Sequence, residues 1–155
     1  VGLLDSVGKK ARFLGVAGAA VQAILATSAP GSPVTSEAIG ERAEDLAEEP
    51  DQRGAWDVVS ARAVGSLAEV IELSLPLARE GGLVVAWKRE DERGGLRGEL
   101  RDAGSIIRAA GGGRPDVVNV ETPSLPGHRL VIVAKERPTP IAYPRPTHVR
   151  RKRKR

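Results

Sequence analysis

The 155-residue sequence predicts an α/β fold: a mostly parallel sheet with an antiparallel hairpin at its C-terminal edge. Three observations lead there. Short runs rich in Val, Ile and Leu alternate with longer stretches whose apolar residues recur at helical spacing. Core volume must come from Val, Leu, Ile and Ala, because Phe13, Trp56, Trp87 and Tyr143 are the whole aromatic set, and that mix suits buried parallel strands. The last two strand-like runs are joined by Thr122–Arg129, a linker with Pro123, Pro126 and Gly127 that has the length of a hairpin connection. A chain of this length forms one domain.

Each element follows from its residues. Val1–Asp5 is a short strand ending in an acid. Val7–Leu25 is a helix with Ala11, Leu14, Ala17, Val21 and Leu25 near a 3.6-residue period, Ser6 as its N-cap, and Pro30, Gly31 and Pro33 as its stop. Val34–Gly40 is a weak strand and Ala43–Glu49 a short acidic helix closed by Pro50. Trp56–Arg62 is a strand. Ser66–Glu80 is a helix with Gly81 and Gly82 at its end, which Pro76 bends or shortens because it lacks an N–H. Leu83–Trp87 is a strand, Glu90–Ala110 a helix, and Val117–Glu121 and Leu130–Ala134 the two hairpin strands. Pro138, Pro140, Pro144 and Pro146 make the following stretch extended.

Charge and composition narrow the function. With no cysteine, thiol nucleophiles, Cys-ligated zinc and disulfides are excluded. His128 and His148 have no partner at metal or triad spacing, so no metal is expected. Phe13–Leu25, the most apolar helical stretch, is too short for a bilayer span and contains Gln22, so no membrane is expected either. The net charge of +4 is uneven: Arg150–Arg155 are all Lys or Arg, and without them the chain carries −2. Such a tail meets phosphate, in RNA or at a membrane surface, or is a solubilising end. We expect a domain over residues 1–145 and a basic, disordered tail over 146–155. A first residue Val1 inside an apolar run, and no Met anywhere, suggest the C-terminal part of a longer protein.

Sheets of this class bind ligands beyond the C-terminal ends of their strands. Asp5, Arg42–Glu44, Arg62 and Lys88 all follow strands. Asp5 can accept ribose hydroxyls, or it can cap the following helix. Arg42, Ala43, Glu44 and Asp45 can read an adenine edge, or they are acids at a helix start. Arg62 can pair with a carboxylate or phosphate through its planar fork, or lie on the surface. Lys88 and Arg89 can meet RNA phosphate.

The strings VGLLDSVGKKARFL, ERAEDLA, WDVVSARAVGSLAEVIELSLPLAREGG and HRLVIVAKERPTPIAYPR occur in that order. Together they resemble the small-subunit ribosomal RNA guanine-N7 methyltransferases, once called glucose-inhibited division protein B, from Val1 to about Arg145. The resemblance implies a Rossmann-like class I methyltransferase fold, S-adenosyl-L-methionine as cofactor, and a guanine in the 530 loop of 16S ribosomal RNA as target. The partner is then the small ribosomal subunit or its precursor, and the location cytoplasmic. Matched by motif, Ala43 and Glu44 are adenine-side cofactor contacts, Arg62 a further cofactor-site residue, and Asp5 the acid after a strand. Arg129, Tyr143 and Arg145 fall in the family's C-terminal motif, structural or RNA-facing. With Lys88, Arg150, Arg151 and Lys152, the arginines Arg129 and Arg145 make up the expected RNA contacts.

This sequence departs from the family twice. The first strand and the GSGAGFPG-type glycine loop upstream of LLDS are absent, so this chain is expected not to transfer methyl on its own. Beyond YPR, Pro146-Thr147-His148-Val149 leads into RRKRKR, which strengthens salt-dependent RNA attraction. A non-catalytic RNA-binding remnant and a related small-molecule methyltransferase are the alternatives.

Overall fold

The computed structural model describes residues 1–28, 31, 34–90 and 95–151. The chain divides into two compact units, Val1–Leu46 and Ala47–Arg155.

The first unit is a β-α-β segment. Strand β1 (Gly2–Leu4) leads into helix α1 (Gly8–Ser28), which returns the chain to β2 (Glu37–Ile39). The strands pair in parallel, with Leu3 opposite Ala38. A one-turn helix α2 (Ala43–Leu46) follows, shorter than the Ala43–Glu49 expected. Helix α1 packs through small residues: Ala11 and Gly18 are its buried positions. A Cβ at Gly18 would collide with Ser36 Oγ and lie 3.2 Å from Leu3 Cδ1, so glycine sets how closely helix and strand approach. Val21, expected on the packed stripe, is 51% exposed, and Phe13, Val16 and Ile24 are more exposed still. At 21 residues α1 exceeds the apolar stretch read from sequence and has the length and composition of a membrane span. Its Ala11–Gly18 face nevertheless sits against the strands of its own unit. Of the expected helix stop, Pro30 and Pro33 lie outside the described residues, and Gly31 has φ +99°.

The second unit is a four-stranded sheet in the order β3-β4-β6-β5. Strands β3 (Trp56–Arg62) and β4 (Ala78–Arg89) are parallel; β6 (His128–Ala134) runs antiparallel to β4 and to β5 (Asp116–Asn119). The expected hairpin is therefore present, with β5 starting one residue earlier than Val117 and β6 two residues earlier than Leu130. Helices α3 (Leu67–Ser74) and α4 (Gly95–Ala109) cover one face. Leu67, Ile71, Leu75, Ile106 and Ile107 meet Val84, Ala86, Val131 and Val133 there to form the core. Val84 and Val131 are fully buried. At about 1.5–3 kcal/mol for each buried aliphatic side chain, this cluster is the main stabilising contribution in the unit.

Two boundaries differ from the pattern reading, for one physical reason. Helix α3 ends at Ser74 because Pro76 has no N–H to continue the ladder, and Leu75 closes it with an N–H to Ile71 O of 3.0 Å. Residues Ala78–Glu80 are consequently strand. Gly81 and Gly82 are not a helix end but the interior of β4. The register slips there: Trp56 faces Ala78, yet Val58 faces Leu83. A Cβ on Gly82 would stand 2.8 Å from Asp57 O and 2.9 Å from Arg79 O, so only glycine passes. At the other end of the unit, a short helix α5 (Thr147–Arg151) follows Pro146, within the stretch expected as a basic, disordered tail.

Candidate functional site

In the first unit, the parallel pairing puts the C-terminal ends of β1 and β2 together. The Asp5 N–H donates to Ile39 O at 3.2 Å, which ties the acid to the end of β2. One Asp5 carboxylate oxygen accepts the Val7 N–H at 2.8 Å, and the other lies 3.6 Å from Lys10 Nζ. Asp5 thus closes a turn onto Val7, whose carbonyl accepts the Ala11 N–H at 3.0 Å, so Val7 and not the expected Ser6 stands at the N-cap of α1. The Asp5 oxygens keep further acceptor capacity, since an ionised carboxylate offers about four lone-pair sites. Ala43 and Glu44 open α2 at the same end of the strand pair and are partly buried.

In the second unit, Arg62 is the last residue of β3, exposed, with its guanidinium carbon 5.7 Å from the centre of the Trp87 ring. The flat cation over an aromatic face fixes the side chain's direction. The next residue, Ala63, has φ +57°. A left-handed alanine costs roughly 1–2 kcal/mol, and such strain concentrates where a backbone is shaped for a ligand. Lys88 lies across this turn. Its Nζ is 2.5 Å from Glu99 Oε2 and donates to Gly65 O at 3.0 Å. The same Glu99 oxygen accepts the Leu67 N–H at 2.6 Å, at the first turn of α3. Lys88, expected at RNA phosphate, has a side chain only 11% exposed and is engaged in this network. Arg129 sits opposite Lys88 in the β4–β6 ladder and donates to His128 O at 3.0 Å. Two like charges directly opposed destabilise a ladder, and Glu99 offsets one of them.

The C-terminal motif forms a strap over the second unit. Arg145 grips Glu72, a buried acid on α3, through Nε–Oε1 at 2.7 Å and Nη2–Oε2 at 2.6 Å, and its backbone N–H adds a third bond at 2.9 Å. The bonds to Glu72 raise the guanidinium pKa above its ordinary value. The Arg145 guanidinium also lies 5.8 Å from the Tyr143 ring centre. Arg53 donates to Ala47 O and to the carbonyls of Thr139, Pro140 and Tyr143, at 2.9–3.2 Å. Buried Lys135 donates to Leu75 O, Ala78 O and Thr139 Oγ1, and the Thr139 hydroxyl donates to Ala110 O at 2.6 Å. Burial pulls the Lys135 ammonium pKa down to about 8, with the Arg53 charge adding to the effect. Arg150 donates to Arg145 O at 2.5 Å. Lys152 and the Arg151 side chain lie outside the described residues.

Sequence reasoning overlooked Arg53, Glu72, Glu99 and Lys135. Two left a signal: Glu72 interrupts the apolar run VIELSL, and Lys135 ends the apolar strand LVIVAK. A charge in such a position is buried only with a partner.

Comparison with known proteins fits this architecture. Residues 1–102 match the family model for rRNA small subunit methyltransferase G. A ribosomal RNA small subunit methyltransferase G from Symbiobacterium thermophilum is 39% identical over 144 residues, which cover 92% of this chain and 55% of that protein. Another, from Roseiflexus castenholzii, is 38% identical over 153 residues, 99% of this chain and 59% of that one. The chain thus spans about half the length of the curated relatives it matches. Among solved structures, a CurJ carbon methyltransferase matches with a TM-score of 0.50 at 13% identity, over 79% of this chain and 40% of that one. That likeness supports the Rossmann-like methyltransferase fold alone. From the family match and these identities together, the chain belongs to the rRNA small subunit methyltransferase G family.

Proposed function

We propose that the protein carrying these residues transfers a methyl group from S-adenosyl-L-methionine to N7 of a guanine in the 530 loop of 16S ribosomal RNA, in the cytoplasm, on the small ribosomal subunit or its precursor. Membership of the methyltransferase family carries the reading. The placement of Asp5, Ala43 and Glu44 at one end of a parallel strand pair agrees with it. So does the strained Ala63 after Arg62 at the end of a second.

The residues present suit the cofactor by their chemistry. Asp5 has acceptor capacity for ribose hydroxyls, and Ala43 and Glu44 stand for the adenine side. In the second unit, Arg62 keeps the cofactor role that the family resemblance gives it. The bound cofactor supplies an electrophilic methyl. Guanine N7 carries a free lone pair at neutral pH, so no residue need act as general base. What the protein supplies is orientation, which in well-aligned cases lowers a barrier by roughly 7–11 kcal/mol. Arg129, Arg150, Arg151 and Lys152 supply cations for the RNA backbone. Arg145 and Lys88 serve the fold around the site, because their charges are already engaged by Glu72 and Glu99.

The test offers tritiated S-adenosylmethionine with unmodified 16S ribosomal RNA, small ribosomal subunits or small-molecule acceptors, and locates the label. Label at a guanine N7 supports the reading. Cofactor binding with no transfer favours a non-catalytic RNA-binding role. Label only on small molecules would overturn the RNA substrate.

A further inference from the structure

We infer that Glu99 is a positioning residue: acting through Lys88, it holds the Ala63–Gly65 turn with Ala63 in the left-handed conformation and so sets affinity for the nucleoside cofactor. The second half rests on the function proposed above.

Three contacts converge on the turn from elements distant in sequence. Glu99, on α4, holds the Leu67 N–H at 2.6 Å and the Lys88 ammonium at 2.5 Å with one oxygen. Lys88, on β4, passes the restraint to Gly65 O. Ser66, between them, caps α3 by accepting the Glu69 N–H at 3.4 Å. The Glu69 carboxylate packs against the open face of Gly65, where a Cβ would push it aside. Both flanks of the turn are thus fastened, and the strained residue lies between Arg62 and the fastened Gly65. An alanine left to itself relaxes to a negative φ. The carboxylate with an ammonium on one side and a helix N-terminus on the other is favourably placed on both counts. Such a network makes an uncommon conformation the stable one, which is how strain persists at functional sites. Since Arg62 directly precedes Ala63, the direction of the chain leaving β3 depends on the clamp.

The experiment measures amide hydrogen exchange across 63–67 and S-adenosylmethionine binding by titration calorimetry, on the intact chain. Glu99→Ala should speed exchange at Leu67 and its neighbours by about tenfold or more, as expected on losing a charge-assisted hydrogen bond. Cofactor affinity should fall by a similar factor. Ala63→Gly in that background should recover most of the affinity loss but not the exchange at Leu67, whose acceptor is gone, because glycine adopts a positive φ without steric cost; a general loss of stability would not respond to that change. Glu99→Gln keeps an acceptor for the Leu67 N–H and gives up only the ion pair, so it should show an intermediate effect even if Glu99→Ala does not fold. Exchange within about twofold of wild type would overturn the clamp. Faster exchange with unchanged affinity would overturn its role in binding. If wild type binds no cofactor, the functional reading fails for this chain and the affinity half with it, while exchange still decides the clamp.

Discussion

Replacing Arg145 by alanine tests the strap where its geometry is strongest. The guanidinium makes two charge-assisted bonds to Glu72, at 2.6 and 2.7 Å, and the Glu72 side chain is 3% exposed. Each such bond contributes about 1.5–3 kcal/mol. Their loss leaves a buried carboxylate with the backbone N–H of residue 145 alone. Breaking a buried pair by removing one member costs about 3–5 kcal/mol. The Arg145 side chain is 28% exposed, so water can partly replace it and the lower figure, about 3 kcal/mol, applies. For a chain of this size each kcal/mol moves the midpoint by roughly 2–4 °C, so melting should fall by roughly 6–12 °C. Circular dichroism with heat and with urea would measure it. The double variant Glu72→Leu/Arg145→Leu should regain most of the loss, because the stranded charge is gone. A single variant within about 0.5 kcal/mol of wild type, the range of inert surface changes, would refute the reasoning. A double variant as unstable as the single one would point to packing instead of charge.

Two further outcomes follow from the same unit. Lys135 has a folded pKa of about 8 against 10.5 in its ordinary state, so between those values the unfolded chain binds more protons than the folded one. Stability should therefore rise with pH through that window, by at most about 1.4 kcal/mol per unit, and urea titrations from pH 7 to 10 should show a slope that Lys135→Met flattens. Gly82→Ala would drive a methyl into three backbone carbonyls, those of Trp56, Asp57 and Arg79; none can move without disturbing the β3–β4 ladder, and a loss of about 3 kcal/mol in the urea midpoint analysis is expected.

The strand and helix order was legible because burial writes a period into the chain. Trp56–Arg62 appears in the structure with the bounds read from sequence, and the hairpin linker is where its prolines and glycine put it. What escaped was tertiary. The Gly81-Gly82 pair reads as a helix end by local rules, yet its place in β4 follows from a close approach to the backbone of β3. The stripe read for helix α1 holds at Ala11, Leu14, Ala17 and Leu25, which are buried or half-buried, but it includes the exposed Val21 and leaves out buried Gly18, whose small size lets the strands come close. The candidate site shows the same division. Asp5, Ala43, Glu44 and Arg62 lie at strand ends, as topology requires. That Lys88 and Arg145 are engaged inside the protein could not be read locally, because Glu99 and Glu72 are many residues away and meet them only in the folded sheet.

The strap also bears on the order of events as the chain is made. Arg53 waits for carbonyls 86 to 90 residues downstream, and Glu72 for a cation 73 residues away. At about 5–20 residues per second, synthesis leaves those groups without these partners for several seconds, and Arg53 with Ala47 O but not the downstream carbonyls for up to roughly 18 s. For that interval the nascent second unit holds an acid on α3 with no Arg145 to meet, so its helices can form early but its last packing step waits for residues 139–145.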